Sequence, residues 1–131
     1  MPPNFCAPII LLGQVAAGRP TTNDAMESGC ISVDLSTIGV SPNARTFALR
    51  VRGDSMNGAH ILDGDTIVLE MRMPHDGAIV AALVDGESTL KRYFVRRGVP
   101  YLKAENPKYA DVIPARELVI QGVLVAVFRK A

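Results

Sequence analysis

Phe47-Ala48-Leu49-Arg50-Val51-Arg52-Gly53-Asp54-Ser55-Met56 decides how this chain folds. Its first six residues alternate, with Phe47, Leu49 and Val51 on one side and Ala48, Arg50 and Arg52 on the other. A period of two belongs to a strand with one buried face. Gly53 then opens a tight turn. Ser55 follows at the strand's end, where a hydroxyl can face a substrate.

The same pattern extends in both directions. Upstream, Cys30-Ile31-Ser32-Val33-Asp34-Leu35 alternates as well. Downstream, Asp63-Gly64-Asp65 signals a turn before the β-branched, apolar Thr66-Ile67-Val68-Leu69. Gly77 to Val84 is a buried-type run, Asp85-Gly86 a hairpin turn, and Ser88 to Val95 its returning partner. Arg97-Gly98 marks another turn, leading into Tyr101-Leu102-Lys103-Ala104, and Asn106-Pro107 breaks the chain again. Leu118 to Phe128 is long and valine-rich, with Gly122 as a bulge or bend. Only Met56 to Leu62 offers a helical turn. No pair of amphipathic helices is present to make a helix-turn-helix. The expected fold is mostly β, with strands at short, regular spacing.

Ahead of this β region, residues 1–13 carry three prolines and read as a linker or N-terminal arm. Residues 14–29 read as a loop, because Gly18 and Pro20 oppose a regular element there. Residues 30–131 are the expected folded domain.

A length of 131 residues suits one domain with a real core. The 48% hydrophobic and 21% charged composition is that of a soluble globular protein. A net charge of +1 argues against a broad basic surface for nucleic acid. The dense basic spots, Arg96-Arg97 and Arg129-Lys130, read as a solvated turn and a solvated chain end. Cys6 and Cys30 have no CxxC partners and no histidines at zinc-binding spacing. They read as free thiols in a reducing cytoplasm. The N-terminus lacks the features of a secretory signal, and no apolar run is long enough for a membrane helix.

The chemistry centres on Ser55 and on Thr89-Leu90-Lys91-Arg92. A serine needs a base before it attacks a carbonyl, and an uncharged lysine can serve. On the expected strand, Thr89, Lys91 and Tyr93 share one face, so Lys91 can enter a pocket while Leu90 and Arg92 point away. Moving its pKa from about 10.4 to near 7 costs the ammonium roughly 4–5 kcal/mol, within reach of burial. Thr89 can hydrogen-bond the amine. The backbone N–H groups of Asp54 and Ser55 are natural oxyanion donors. Met56 reads as a core or cleft-lining residue. His60 and His75 have no assignable carboxylate partner and read as packing or surface residues. Asp63 and Asp65 read as turn formers rather than metal ligands. Asp54 reads as a cap on the turn that follows it.

Several motifs in order carry a family resemblance that runs from about Pro8 to Lys130. They are Ile10-Leu11-Leu12-Gly13-Gln14-Val15-Ala16-Ala17-Gly18-Arg19-Pro20, Val51-Arg52-Gly53-Asp54-Ser55-Met56, Ile61-Leu62-Asp63-Gly64-Asp65, Thr89-Leu90-Lys91-Arg92, Leu102-Lys103-Ala104-Glu105-Asn106-Pro107 and Gly122-Val123-Leu124-Val125-Ala126-Val127. Together they resemble the self-cleaving domain of the LexA repressor family, whose relatives include phage repressors and UmuD. The resemblance implies a fold of compact, twisted antiparallel sheets of the LexA, UmuD and signal-peptidase type. It implies a serine endopeptidase that cuts its own Ala17–Gly18 bond, with Ser55 as nucleophile and Lys91 as base. Val15 and the small Ala16 would seat that segment in a narrow cleft. No cofactor or metal is implied. The implied partners are a second copy of the chain and the RecA filament on single-stranded DNA, which stimulates cleavage in the SOS response. Operator DNA would be reached only through an N-terminal domain that these residues do not include. The alternative is a UmuD-like accessory subunit of a translesion polymerase, although such proteins typically cleave after cysteine rather than alanine.

Overall fold

A computed structural model describes residues 6–16, 29–113 and 117–131, with the side chains of residues 6–8 and 16 excepted. Among these residues eight strands form one sheet: β1 (Cys6–Ala16), β2 (Cys30–Asp34), β3 (Thr46–Arg52), β4 (Thr66–Glu70), β5 (Ile79–Val84), β6 (Glu87–Arg96), β7 (Val99–Lys103) and β8 (Leu118–Phe128). Their order across the sheet is β2-β1-β3-β4-β8-β5-β6-β7. The helical content of the described residues is a single 3-10 turn, Asn57–Ala59, inside the Met56–Leu62 stretch where a turn was expected. The mostly β expectation therefore holds, with one refinement: β1 runs parallel to β3, while the other pairs are antiparallel.

Alternation in β3 and β4 sorts the core. Phe47, Leu49, Val51, Ile67 and Leu69 point to one face and join Val15, Met56, Ile61, Ala81 and Leu90. Ala48 and Val68 point to the other and join Ile9, Val33, Leu35 and Val40. Four strands separate β1 from β6 in the sheet, yet β1 also packs against β6. The sheet must therefore curl, and the first cluster lies inside the curl. Gly122 sits where β8 crosses this core. A Cβ there would meet the Phe47 ring at 2.9 Å and Leu69 Cβ at 3.0 Å, so close packing requires the glycine.

Residues 6–16 behave differently from an arm followed by a loop, because they form the continuous strand β1. β1 pairs with β2 through Cys6–Ile10 and with β3 through Leu11–Ala16, with an irregularity between Leu11 and Gln14. Gly13, at φ 137, lies in that irregularity. The prolines suggested an arm, yet the apolar residues beyond them find partners on both sides. The register sets Cys30 opposite Ile10 rather than Cys6, and Cys30 is an exposed free thiol. Among the described residues, no helix is long and apolar enough to cross a membrane.

Candidate active site

β3 delivers the nucleophile candidate. After Arg52 the chain turns at Gly53, whose φ of 98 suits glycine, and Ser55 is fully buried at the turn. The turn is braced from below by Asp63-Gly64-Asp65. Asp63 Oδ1 accepts the Gly53 N–H at 2.8 Å, Gly64 N–H donates to Val51 O at 2.8 Å, and Val51 N–H donates to Asp65 O at 2.8 Å. Asp65 is itself buried. Its carboxylate accepts the Leu62 N–H and two bonds from the Arg129 guanidinium, each at 2.7 Å. These bonds hold the Asp65 carboxyl below its ordinary pKa of 3.8, the Arg129 bonds contributing most.

β6 delivers the base candidate. It lies between β5 and β7, not at the sheet edge. Lys91 is fully buried, and its Nζ donates to Ser55 Oγ at 3.1 Å, Thr89 Oγ1 at 2.8 Å and Leu90 O at 3.1 Å. All three partners are neutral. Burial alone therefore governs the amine and lowers its pKa from 10.5 to about 8. That is short of 7, but it leaves a tenth of the amine neutral one pH unit below the midpoint. Neither histidine bonds to Ser55 in this arrangement. His60 occupies the left-handed region after the 3-10 turn, at φ 61. Among the described residues, no cluster of metal-ligating side chains is present.

The remaining residues predicted for the site fall as follows. Met56 is fully buried, in the same core cluster as Val15 and Leu90. Val15 is 1% exposed and pairs with Val51, and Ala16 pairs with Arg52. Thr89 is fully buried beside Lys91. Ala17 and Gly18 lie outside the described residues. Among the described residues, no backbone carbonyl accepts the Ser55 N–H.

Two expectations need correction. The Asp54 carboxylate does not cap the following turn, whose N-cap has no side-chain hydrogen bond. It accepts instead from the Tyr109 hydroxyl and from Lys108 Nζ at 3.1 Å. Both lower its pKa, Tyr109 more than Lys108. Arg129, expected as a solvated chain end, is pinned to Asp65 and to the His60 carbonyl. The chain after β8 thus closes over the turn that braces Ser55.

The segment from Glu105 to Tyr109 is a second brace that sequence reasoning missed. Glu105 O accepts the Gly58 N–H at 2.7 Å, and a Cβ on residue 58 would sit 2.6 Å from that oxygen. Asn106 Nδ2 donates to Asp54 O at 2.9 Å. Arg92, next to Lys91 but on the opposite face of β6, donates to Glu105 Oε1 and to Gly77 O at 2.6 Å. One segment therefore ties the strand carrying the lysine to the turn carrying the serine. Asn106-Pro107 signals only a chain break; its contact with Asp54 spans 52 residues and that of Glu105 with Arg92 spans 13, and neither leaves a local mark.

Residues 8–125 match the family model described as Peptidase S24-like. A LexA repressor of Verrucomicrobium spinosum is 55% identical over 121 residues, covering 92% of this chain and 60% of its own length. A LexA repressor of Opitutus terrae is 43% identical over 122 residues, covering 92% of this chain and 61% of its own. A LexA repressor of Frankia alni is 40% identical over 121 residues, covering 92% of this chain and 46% of its own. The chain thus spans about 60% or less of the length of these relatives.

Proposed function

The chain belongs to the Peptidase S24-like family, and from that premise we propose that it is the self-cleaving serine peptidase part of a LexA-like SOS-response repressor, cutting its own Ala17–Gly18 bond. The observation that carries this reading is the bond from Lys91 Nζ to Ser55 Oγ, 3.1 Å long and buried, with no carboxylate bonded to that amine among the described residues. Neutral Lys91 takes the Ser55 proton as Oγ attacks the Ala17 carbonyl carbon. The oxyanion forms against the Asp54 and Ser55 N–H groups. The ammonium then protonates the departing Gly18 amine, leaving an acyl-enzyme on Ser55. Water, activated by the same lysine, hydrolyses that ester.

The parallel register of β1 and β3 supports the choice of bond. Parallel strands leave the sheet in the same direction. β3 continues through Gly53 and Asp54 to Ser55, and β1, ending at Ala16 opposite Arg52, continues to Ala17. Val15, buried against Met56 and Leu90, anchors the segment. A tethered substrate has a high effective concentration, so docking rather than encounter limits the rate. A partner that favours the docked segment accelerates cleavage without adding catalytic groups. For a LexA-like repressor that partner is the RecA filament on single-stranded DNA.

β8 is the surface we assign to a homodimer. β4 takes its Val123–Phe128 half and β5 its Leu118–Val123 half, and Val123 pairs with both. The two partners therefore occupy opposite edges, leaving half of each edge without a partner strand among the described residues. Val127 and Phe128 are exposed there. The relatives are LexA repressors, which favours this reading over a UmuD-like polymerase subunit. A cytoplasmic location follows from the repressor reading.

The test is self-cleavage of the purified chain followed by mass spectrometry between pH 6 and pH 11. The expected product breaks between Ala17 and Gly18. Its rate rises about tenfold per pH unit below the Lys91 midpoint near 8 and levels above it, because the reactive form has lost a proton. Cutting elsewhere, or equal cutting by Ser55→Ala or Lys91→Ala, rules the mechanism out.

A further inference from the structure

We propose that Asn106 is a positioning residue that aims the Ser55 N–H at the oxyanion, acting through the peptide plane it shares with the Asp54 carbonyl. This rests on the self-cleavage reading above. The Asp54 C=O and the Ser55 N–H belong to one planar trans unit and point in opposite directions. Fixing the carbonyl therefore fixes the direction of the N–H. The carbonyl accepts two bonds. One is the turn's own, from Asn57 N–H at 3.2 Å, and the shorter comes from Asn106 Nδ2 at 2.9 Å.

Asn106 is itself held. Its Oδ1 accepts the Lys108 N–H at 3.0 Å and its backbone O accepts the Tyr109 N–H at 3.1 Å. With Oδ1 committed to Lys108, the amide nitrogen faces Asp54. Tyr109 and Lys108 hold the side chain of the same Asp54 residue. The Asp54–Ser55 peptide is thus gripped from outside the site at both its carbonyl and its neighbouring side chain. A fixed donor needs no reorientation as negative charge develops on the attacked carbonyl oxygen, which is the property an oxyanion donor must have.

Two substitutions separate aiming from mere shape. Asn106→Ala removes both the bond to Asp54 and the bond from Lys108. Asn106→Asp keeps the acceptor for the Lys108 N–H but loses the donor to the Asp54 carbonyl. First-order self-cleavage rates would be recorded against pH for the full chain, alongside melting temperatures and a Ser55→Ala control. The expected result is a plateau rate lowered roughly 10²-fold in both variants, the size seen when one oxyanion donor is lost. The Asn106→Ala midpoint stays at the wild-type value, because Lys91 is untouched. Wild-type plateau rates in both variants would overturn the assignment. So would a wild-type rate in Asn106→Asp beside a slow Asn106→Ala, or a loss no larger than the fall in folded fraction. A wild-type chain that stays intact would overturn the self-cleavage reading instead, and this inference with it.

Discussion

Lys91 and Asp65 are both ionisable, both buried to 1% exposure or less, and both within a few residues or bonds of Ser55, yet the fold treats them oppositely. Asp65 has a counter-ion. Arg129 reaches in from the surface, donates two bonds at 2.7 Å and keeps the carboxylate charged. Lys91 has none. Two hydroxyls and a carbonyl surround its amine, and burial pushes its pKa down to about 8. Burial by itself therefore does not decide what a charge becomes; the charge of the partner does. The paired site holds a turn in place, and the unpaired site can give and take a proton near neutral pH. A carboxylate beside Lys91 would hold its amine in the charged form.

Breaking the paired site should have the larger effect on stability. Arg129→Ala leaves Asp65 buried without its cation and frees the His60 carbonyl. We expect the melting temperature at pH 7 to fall by roughly 5–10 °C, since removing the half-exposed cation strands a buried carboxylate. The sign with pH is definite. Asp65 is held below its ordinary value, so its contribution is full above that value and is lost as pH falls through the folded one. The gap between wild type and variant should therefore shrink on acidification below about pH 4. A pH-independent gap in thermal melts would mean that packing, rather than charge, carries the loss.

Relieving the unpaired site should do the reverse. Below pH 8 both folded and unfolded chains hold the Lys91 proton, and the folded chain bears the full cost of burying the cation. A drop from 10.5 to about 8 corresponds to roughly 3 kcal/mol. Lys91→Met fills similar space without the charge but leaves the Ser55 and Thr89 hydroxyls without that partner, so a net gain of about 2 kcal/mol is expected at pH 7. Between pH 8 and 10.5 the unfolded chain keeps a proton that the folded one releases. Wild-type stability climbs through that window and the variant's advantage fades. Urea midpoints that are equal at pH 7, or an advantage that persists at pH 11, would break the comparison.

This contrast was only half legible in the sequence. Alternation in Phe47–Arg52 and the glycine after it located Ser55, and the strand period placed Lys91 on a different face from Arg92, because both follow from local backbone geometry. Asp63-Gly64-Asp65 was readable as a turn for the same reason. That Asp65 is also a buried partner of Arg129 was not, since 64 residues separate the two and neither has an unusual neighbourhood. Asn106 and Tyr109 were hidden for the same reason. β1 is not legible in the sequence, because three prolines near the start favour an arm and the role of the apolar Ile9-Ile10-Leu11-Leu12 depends on β2 and β3 lying on either side.

The smallest effect should come from another ion pair near Ser55, that of Lys108 with Asp54, which has Asp65's pairing but not its burial. Lys108 Nζ meets Asp54 Oδ2 at 3.1 Å, with the lysine side chain 69% exposed and the aspartate 38%. Water and salt already solvate both groups, so little is gained when they meet. Tyr109, the larger cause of Asp54's lowered pKa, stays in place when Lys108 is removed. Lys108→Ala should therefore leave the melting temperature within about 1 °C of wild type, and the difference should not grow between low and high salt. A loss comparable to that of Arg129→Ala, disappearing in high salt, would show that charge pairing stabilises this turn even when exposed. Burial would then cease to be what separates Asp65 from its neighbours.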